Sequence, residues 1–558
     1  MRLDFEDIKN KEKWEQKGFI LPKFNIEEIT KNTKEEPTWL HFGAGNIFRA
    51  FPALCLQKLL NSGKYNKGII VCESYDEEII EKSFLPYDNL STVVTIFADG
   101  NKELEILASI SESLNMSSGK DRLIEIFIKN SLQIVSLTIT EKGYQTHDIN
   151  GNILPYIQKE ISDLPQNAKS IPALLTYLLI KRYEKNKMPI ALVSMDNCSY
   201  NGDLLKKSVL TIANEWLKKE YVNEDFLKYI SENVSYPITM IDKITPMPSN
   251  IIADYLKNLG YEDTEITKTD KNSTVASFVN AEETGYLVIE DLFPNGRPPL
   301  EEAGIIFTDR ETVINVEKMK VGACLNPLHT IIAIFGCLLG YKSVSEAMKD
   351  EALVELIKSV GYNVLLPFVP DPEVISPKDF INEVIEKRFP NPFIPDTPQR
   401  IATDTSQKIP VRFGETLKTR EKYCYTDDGF EFWEVPDMNL SDLSFFIAGW
   451  FRYLVQIDDK GEPMELSPDP LLDTLIPIFK DYKLGEENIF NRKTIELLKN
   501  KAIFGIDLSS TYDGEEEWDD NIGGYSGIVG YVQEYFTLMT KGLYAVRYAL
   551  DELYTDGF

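Results

Sequence analysis

Two patterns of hydrophobic positions divide the chain. In the first half, short runs of β-branched and apolar residues alternate with stretches of helical spacing. These runs predict strands at residues 38–42, 68–72, 132–140 and 189–195, with a helix from the first strand to about Leu60. Strands separated by helices indicate a parallel sheet covered on both faces. The first half is therefore predicted to be an α/β domain.

The second half has long helical spacings and few strand-like runs. The pattern predicts helices at residues 316–339, 344–360, 440–455, 493–501 and 527–553. Between them, residues 366–399 contain eight prolines, which predicts extended chain and turns. A domain boundary is expected at the extended segment 294–299, which separates residues 1–295 from residues 296–558.

Composition limits the classes of partner. The formal net charge of -29 repels phosphate backbones and anionic membranes, so neither nucleic acid nor a membrane is an expected partner. The six cysteines contain no CxxC pair, which indicates reduced thiols. The polar N-terminus and the lack of an uninterrupted apolar stretch of about 18 residues predict a soluble, cytoplasmic protein. The acidic run 515–520 is predicted to be a solvated loop rather than a metal site.

The segment GAGNIFR, residues 43–49, lies between a predicted strand and a predicted helix. Gly43 would allow a tight turn, and Gly45 would let the backbone approach the pyrophosphate of a dinucleotide. Asn46 opens the helix, and Phe48 replaces the third glycine of GxGxxG. Arg49 is placed to pair with the pyrophosphate from the first helical turn. A glycine-rich turn without a ligand is the alternative explanation of this pattern.

Glu73 closes the second predicted strand. An acidic residue at that place commonly binds the ribose hydroxyls and disfavours a 2′-phosphate, which favours NAD(H) over NADP(H). Pro52, inside the helix that follows the glycine turn, is expected to kink or delay that helix.

Lys320, Asn326 and His329 lie together in KMKVGACLNPLH, at the start of a long apolar run. A lysine whose pKa is lowered by burial can transfer a proton, an amide can hold an oxyanion, and an imidazole can orient a hydroxyl. Carbonyl reduction needs this set once a hydride donor is present. Lys318 is the local competitor of Lys320, and a surface lysine or a core histidine is the alternative in each case.

The dipeptide Asn326-Pro327 fits the first positions of a helix, with His329 in its first turn. A helix that continued from residue 316 would instead place Lys320 and Asn326 about 120° apart. Asn197 follows the predicted strand at 189–195, where ligands of open α/β sheets bind. It could share an alkoxide with Asn326, or serve only as a turn residue.

The three histidines, His41, His147 and His329, are separated in sequence, and neither an HExxH motif nor a CxxC pair is present. Zinc normally takes three protein ligands. A metal-independent mechanism is therefore predicted.

Six blocks in the same order resemble the polyol-specific long-chain dehydrogenase/reductase family, which includes mannitol dehydrogenases, mannitol-1-phosphate dehydrogenases, and fructuronate and tagaturonate reductases. The blocks are HFGAGNIFRAF, SLTITEKGY, DNCSYNG, YPITMIDKITP, KMKVGACLNPLH and QRIATDTSQKIPVR. The resemblance covers about residues 36–460. It implies an α/β N-terminal Rossmann-like domain with a parallel sheet, followed by a mostly α-helical C-terminal domain. The family's GxGxxxR motif accounts for Phe48.

The resemblance also implies roles for individual residues. Lys320 corresponds to the general acid/base and His329 to the substrate-orienting histidine. Asn197 and Asn326 correspond to the pair that stabilises the oxyanion, and the substrate pocket is implied to contain Arg400 and Lys408. The family usually separates the lysine and the asparagine by five residues, whereas this chain has six. A bulge or a break between them is therefore required, and Lys318 stays the alternative acid/base.

Chain length and the segment IEDLFPNGRPPLEEAGIIF most resemble the fructuronate reductases, which implies NADH-dependent reduction of D-fructuronate to D-mannonate. Arg400, Lys408 and Arg412 would then provide cations for the substrate carboxylate. A tagaturonate reductase and a mannitol 2-dehydrogenase are the alternatives within the family. A non-catalytic NAD(H)-binding sensor and a metal-dependent lyase or isomerase are alternatives of other classes. The sequence leaves the oligomeric state open.

Overall fold

A computed structural model describes residues 1–148, 150–425, 440–510 and 527–554, so the acidic run 515–520 lies outside the described residues. The chain divides into two compact units, Met1–Ile314 and Asn315–Phe558. Two units are predicted from the sequence, and the compact units divide after Ile314, whereas the expected division lies after residue 295. The chain beyond residue 299 first adds the strand Ile306–Thr308 to the first unit, parallel to the strand Tyr286–Glu290.

The strands of the first unit are β1 (Phe19–Ile20), β2 (Trp39–Phe42), β3 (Ile69–Glu73), β4 (Ser91–Ile96), β5 (Lys102–Leu107), β6 (Ile110–Asn115), β7 (Ile134–Leu137), β8 (Ile190–Ser194), β9 (Val234–Ser235), β10 (Thr239–Asp242), β11 (Thr267–Lys268), β12 (Thr274–Val275), β13 (Phe278–Glu282), β14 (Tyr286–Glu290) and β15 (Ile306–Thr308). Its helices are α1 (Lys11–Glu15), α2 (Ile26–Glu35), α3 (Asn46–Ala50), α4 (Pro52–Asn61), α5 (Glu78–Ser83), α6 (Met116–Phe127), α7 (Pro155–Ser162), α8 (Ile171–Lys185), α9 (Asn201–Lys218), α10 (Glu224–Glu232) and α11 (Asn250–Asn258).

The main sheet has six parallel strands in the order β6-β3-β2-β7-β8-β9. Numbered along the chain, these strands have the order 3-2-1-4-5-6, which is the doubly wound dinucleotide-binding arrangement. The strand order reverses between β2 and β7, and ligands of this fold bind at the carboxyl ends of the strands beside that point. The predicted α/β domain is confirmed, and β2, β3, β7 and β8 are the four predicted strands.

A second, four-stranded sheet has the order β1-β5-β4-β13 and is not predicted from the sequence. Its antiparallel pair β4 and β5 lies in the chain between β3 and β6 of the main sheet, and β13 joins it from much later in the sequence. Because these strands are far apart in the chain, no local sequence pattern indicates that they pair.

The helix after the glycine turn is interrupted at Phe51, where φ is -134° and ψ is -76°. Pro52 then opens α4 in its first turn, where its missing N–H costs no hydrogen bond. The expected effect of Pro52 is therefore confirmed: α3 contains only five residues.

The second unit is helical in its described part, as expected. Its helices begin with α12 (Arg310–Met319), within which the two units divide, and continue with α13 (Asn326–Leu339), α14 (Val344–Ala347), α15 (Glu351–Ser359), α16 (Pro377–Glu383), α17 (Pro398–Ile401), α18 (Thr405–Arg412), α19 (Gly414–Tyr425), α20 (Leu440–Leu454), α21 (Leu472–Phe479), α22 (Arg492–Leu498), α23 (Lys501–Phe504), α24 (Gly527–Met539) and α25 (Ala545–Tyr554). Three π-helical turns occur at Lys320–Cys324, Val360–Leu365 and Val384–Arg388. The proline-rich segment 366–399, predicted to be extended chain and turns rather than one helix, contains the short helix α16, which begins with Pro377 at a tolerated first position.

Helix α13 is the apolar centre of the second unit, and it packs against α20, which packs against α24. The stretch Arg310–Leu339 is long and apolar enough to pass a length-and-composition test for a membrane span, but 78% of its most apolar window is buried, as in a core helix. The stretch is not uninterrupted in its apolar character, since Asn326, His329 and Thr330 lie within it, and α13 is almost wholly surrounded by protein.

Asn201, at the start of α9, joins the carboxyl end of β8 to the start of β10. Its side-chain amide donates to the backbone oxygens of Asp196 (2.9 Å) and Thr239 (3.0 Å) and accepts from the N–H of Thr239 (2.9 Å). The residue is fully buried, so the groups that it satisfies have no access to water if the side chain is lost.

We expect Asn201→Ala to lower the free energy of unfolding by about 3 kcal/mol, because it leaves buried backbone groups without partners. Denaturant unfolding followed by fluorescence measures the change. Asn214→Ala on the exposed face of the same helix is the matched control and should stay within about 0.5 kcal/mol of the wild type. Equal effects of the two substitutions would contradict the role of Asn201.

Candidate functional site

The glycine turn lies at the carboxyl end of β2, beside the point where the strand order reverses. Gly43 has φ +103°, and a Cβ there would lie 2.2 Å from the backbone oxygen of Thr138, which follows β7. Only glycine fits, because the ends of β2 and β7 approach each other at this place. Gly45 precedes α3, and a Cβ added to it would meet no heavy atom within 4 Å. The turn therefore leaves open space beside Gly45, as close approach of a pyrophosphate requires.

Glu73 ends β3 and is buried, with 6% of its surface exposed. Its Oε2 accepts a hydrogen bond from the N–H of Ala44 at 2.8 Å, and its Oε1 accepts from the N–H groups of Ser74 and Tyr75 at 3.0 and 2.9 Å. The carboxylate thus ties the glycine turn to the loop after the neighbouring strand. It also puts a negative charge at the strand end, where a 2′-phosphate would be disfavoured. Binding of ribose hydroxyls by Glu73 stays a prediction.

Arg49 and Phe48, two residues of the glycine-turn motif, are fully buried. The guanidinium of Arg49 donates to the backbone oxygen of Ala276 (3.0 Å) and to Asn46 Oδ1 (3.1 Å). Burial lowers the pKa of Arg49 to about 10. Arg49 has no exposed surface in this arrangement and links α3 to the segment before β13, and its pairing with a pyrophosphate stays a prediction.

The ring of Phe48 stacks on the imidazole of His41, with ring centroids 4.2 Å apart. Burial lowers the pKa of His41 to about 3, so this imidazole is neutral. Phe48 therefore packs against His41 in the core of the first unit, and any contact with the cofactor stays a prediction.

Asp196 joins the loops that follow β7 and β8. Its carboxylate accepts hydrogen bonds from the N–H groups of Ile139 (3.0 Å) and Thr140 (2.8 Å) and from the hydroxyl of Tyr144. Burial raises the pKa of Asp196, and these hydrogen bonds oppose the shift. The next residue, Asn197, is exposed at the carboxyl end of β8. The first unit therefore presents Asn197 on a loop that a buried carboxylate holds in place.

The structure of the second unit shows how the six-residue spacing between Lys320 and Asn326 is accommodated. Residues Lys320–Cys324 form a π-helical turn, closed by a hydrogen bond from the N–H of Leu325 to the backbone oxygen of Lys320 at 3.2 Å. The chain then breaks at Leu325, where φ is -128° and ψ is -64°. A π turn accommodates one residue more than an α-helical turn, and such turns occur often at functional sites. The expected bulge and break are both present.

Helix α13 begins at Asn326, with Leu325 as its N-cap residue. An N-cap at Asn326 would have placed the start of the helix one residue later, at Pro327. His329 lies in the first turn. The backbone oxygen of Asn326 accepts hydrogen bonds from the guanidinium of Arg412 (3.0 Å) and from the hydroxyl of Thr330 (2.9 Å). Arg412 therefore fixes the start of the helix that carries two of the predicted site residues. Burial lowers the pKa of Arg412 to about 10.

The two lysines that are candidates for the acid/base differ in burial. Lys320 is 3% exposed, whereas Lys318, at the end of α12, is exposed. A buried lysine head group is the unusual state, since lysine is seldom buried without a partner or a function. This difference favours Lys320 over Lys318 as the acid/base.

His329 and Arg400 share one carboxylate, that of Asp396. The imidazole Nε2 lies 3.3 Å from Asp396 Oδ2, and Arg400 Nε donates to Asp396 Oδ1 at 2.7 Å. Burial lowers the pKa of His329, with Asp396 opposing and Arg412 and Arg400 reinforcing the shift. The imidazole is therefore neutral near pH 7.

Lys408 donates to the backbone oxygens of Ile401, at 3.0 Å, and Thr403. Burial, reinforced by the nearby charge of Arg412, lowers the pKa of Lys408. Arg400, Lys408 and Arg412 thus form a cationic cluster on α17 and α18 of the second unit. Arg400 and Arg412 lie close enough to His329 to act on its pKa, and contact of the three cations with a substrate stays a prediction.

The described parts of the chain contain no evident metal-binding site. Within residues 1–148, 150–425, 440–510 and 527–554, no group of three His, Cys, Asp or Glu side chains is arranged to hold a metal ion. The five cysteines with described side chains form no disulfides.

Comparison with known families decides the class of protein. A model of the mannitol dehydrogenase Rossmann domain matches residues 37–302, and a model of the mannitol dehydrogenase C-terminal domain matches residues 313–517. The chain belongs to the mannitol dehydrogenase family. Membership makes it an oxidoreductase that acts on CH–OH groups.

Two members of the mannitol dehydrogenase family illustrate the range of sequence similarity. The chain is 45% identical to D-mannonate oxidoreductase of Thermotoga maritima, over 99% of both chains. It is 27% identical to mannitol 2-dehydrogenase of Neosartorya fischeri, over 84% of this chain and 87% of that one.

Two solved structures share the fold of this member of the mannitol dehydrogenase family. D-sorbitol dehydrogenase in substrate-free form has a TM-score of 0.74 at 22% identity, covering 95% of this chain and 97% of that one. Pseudomonas fluorescens mannitol 2-dehydrogenase, in a ternary complex with NAD and D-mannitol, has a TM-score of 0.68 at 23% identity, covering all of both chains. These similarities confirm the predicted α/β and helical domains.

Sequence reasoning missed two anchoring carboxylates of this mannitol dehydrogenase family member. Asp396 precedes Arg400 by four residues, a spacing at which opposite charges commonly pair near a helix start. Asp196 and Tyr144 belong to two motif blocks that follow adjacent parallel strands, which was a usable signal for their contact.

We expect Gly43→Ala to lower the free energy of unfolding by at least about 2 kcal/mol, because alanine disfavours positive φ and its Cβ would overlap Thr138. Gly45→Ala should fold normally but weaken NADH binding, because its Cβ would occupy the open space beside the turn. Thermal unfolding and NADH titration of both variants separate the two effects. Normal NADH affinity in Gly45→Ala would contradict the assignment of this turn to the dinucleotide.

Proposed function

We propose that the chain catalyses the NAD(H)-dependent, metal-independent reduction of D-fructuronate to D-mannonate. The observation that carries the substrate class is the cationic cluster Arg400, Lys408 and Arg412 near His329. A chain with a net charge of -29 places three cations together on two short helices, which suits an anionic substrate. A neutral polyol would give these residues no charge to bind.

The similarity to a named relative supports the same substrate class. The Thermotoga maritima protein called D-mannonate oxidoreductase is 45% identical over nearly the whole chain. The pair D-mannonate and D-fructuronate differs by oxidation of one CH–OH group, which is the kind of reaction that the family performs.

Lys320 is the proposed general acid in the reductive direction. It gives a proton to the keto oxygen while the keto carbon accepts a hydride, and it takes the proton back in the reverse reaction. Its buried position at the π turn excludes water from this transfer. NADH, when bound, supplies the hydride.

Asn326 and Asn197 are the proposed hydrogen-bond donors to the developing alkoxide, each contributing about 3 kcal/mol by analogy with oxyanion-hole donors. His329, as a neutral imidazole, orients a hydroxyl next to the reacting carbon. The cationic cluster binds the carboxylate at the far end of the substrate.

The first unit fits NAD as the cofactor. The strand order, the positive φ of Gly43 and the open space at Gly45 match what a dinucleotide pyrophosphate needs. Glu73 supplies the acidic strand end that disfavours NADP. The reduced thiols and acidic surface suit a cytoplasmic enzyme with a small-molecule substrate.

The substrate assignment is tested by NADH oxidation at 340 nm with D-fructuronate, D-tagaturonate and D-fructose, each with and without EDTA. We expect rapid, EDTA-insensitive turnover of D-fructuronate, and slow turnover of the neutral ketose. Preference for D-tagaturonate or D-fructose would assign the protein to another branch of the family. Sensitivity to EDTA would contradict the metal-independent mechanism, and NADH binding without any turnover would support the sensor alternative.

We expect Lys320→Ala to lower kcat by at least about 1000-fold, since it removes the general acid. Lys318→Ala is the matched control, two residues away and exposed, and should keep the wild-type kcat within about twofold. NADH titration checks that both variants still bind the cofactor. A larger loss in Lys318→Ala than in Lys320→Ala would transfer the acid/base role to Lys318.

A further inference from the structure

One buried carboxylate contacts two residues of the proposed substrate site. Asp396 uses one oxygen for His329 and the other for Arg400. Its side chain is only 9% exposed, and its backbone oxygen accepts a hydrogen bond from the N–H of Val344 at 3.0 Å. The position of this carboxylate is therefore fixed by contacts of both its side chain and its backbone.

We propose that Asp396 is a positioning residue that sets substrate specificity, because it orients His329 toward a hydroxyl and Arg400 toward a carboxylate of the same substrate. This inference rests on the proposed function. Asp396 itself is buried behind these two residues and acts through them.

The contact with Asp396 selects one form of His329. An ionised carboxylate can only accept a hydrogen bond, so this 3.3 Å contact favours the tautomer of the imidazole that carries its proton on Nε2. The neutral ring then presents Nδ1 as an acceptor for a substrate hydroxyl. The ring of Phe389 stacks on the imidazole, with centroids 5.2 Å apart and planes 22° apart, and this contact fixes the plane of the ring.

The contact with Asp396 also sets the direction of Arg400. The Nε and one terminal nitrogen of the guanidinium point at Asp396 Oδ1. The Arg400 side chain is nevertheless 69% exposed, so its other edge faces solvent. A guanidinium held by one edge presents donors in a fixed plane, which suits bidentate binding of a second carboxylate.

The kinetic test is Asp396→Asn, which keeps the shape and removes the charge. We expect its KM for D-fructuronate to rise between about 10- and 100-fold, the usual range for a residue that orients a ligand-binding group. The KM for D-fructose should rise less, because that substrate has no carboxylate. In an Arg400→Ala background, Asp396→Asn should add little to the loss of preference for D-fructuronate, because both changes act through the same contact.

Asp350→Asn is the matched control. Asp350 is also a buried carboxylate of the second unit, with a 6% exposed side chain bound by Arg547 and by the hydroxyl of Tyr341 at 2.7 Å. Its substitution should lower thermal stability but keep the ratio of the two KM values. An equal change of that ratio in Asp350→Asn and Asp396→Asn would overturn the positioning role.

A second measurement does not depend on turnover. With only three histidines, NMR of protein labelled with ¹³C,¹⁵N-histidine resolves His329 and reports its tautomer and its titration. We expect the Nε2–H form in the wild type. In Asp396→Asn the pKa of His329 should fall, because Asp396 raises it against the effects of burial, Arg412 and Arg400. The acid titration would then move to lower pH.

The outcomes separate this inference from the proposed function. A wild type that reduces D-fructose but not D-fructuronate overturns the proposed function, and with it the part of the inference that concerns Arg400. The Nδ1–H form of His329 in the wild type overturns the part that concerns His329, even if Asp396→Asn does not fold. Preserved turnover of D-fructuronate with an unchanged ratio of KM values in folded Asp396→Asn overturns the specificity role alone.

Discussion

The hydrogen bond from the N–H of Leu325 to the backbone oxygen of Lys320 determines the arrangement of the proposed catalytic residues. It closes a turn that holds one residue more than an α-helical turn, and the chain then breaks before Asn326. Lys320 is thereby buried at the end of one helix, while Asn326 and His329 start the next. The hydroxyl of Thr416 donates to the backbone oxygen of Gly322 at 3.1 Å, so this carbonyl of the π-helical turn has a hydrogen-bond partner.

Several buried charged groups of this protein are stabilised by backbone atoms. Arg182 in the first unit and Arg452 in the second are fully buried, and each donates to several backbone oxygens. Glu73 and Asp196 do the reverse and accept from backbone N–H groups. Such contacts satisfy a buried charge without a mobile counter-ion and rigidify loops, which is what a site on strand ends requires.

The sequence predicts the main elements of the fold but not all of their partners. Strands of the main sheet and helices of the second unit follow from hydrophobic periodicity, because each buries one continuous apolar surface. The strand β13 joins β4 from far along the chain, and such pairing depends on three-dimensional proximity. In the second unit His329 and Arg400 share the carboxylate of Asp396, and the bulge inferred from the spacing of Lys320 and Asn326 is present. The burial of Arg49 and Phe48 could not be foreseen, because a motif identifies positions near a turn without telling which side chains point into the core.

The burial of α13 has a consequence for the synthesis of the protein. This helix is apolar on nearly all sides, and it packs against α14, α15 and α17, which follow closely in the chain, and against α20, which begins more than one hundred residues later. Loop closure over such a distance is slow, and a partly uncovered apolar helix invites aggregation. The nascent chain must therefore carry α13 only partly covered until α20 has been made, whereas the Rossmann sheet can already be complete. Chaperone dependence should accordingly be concentrated in the later half of translation.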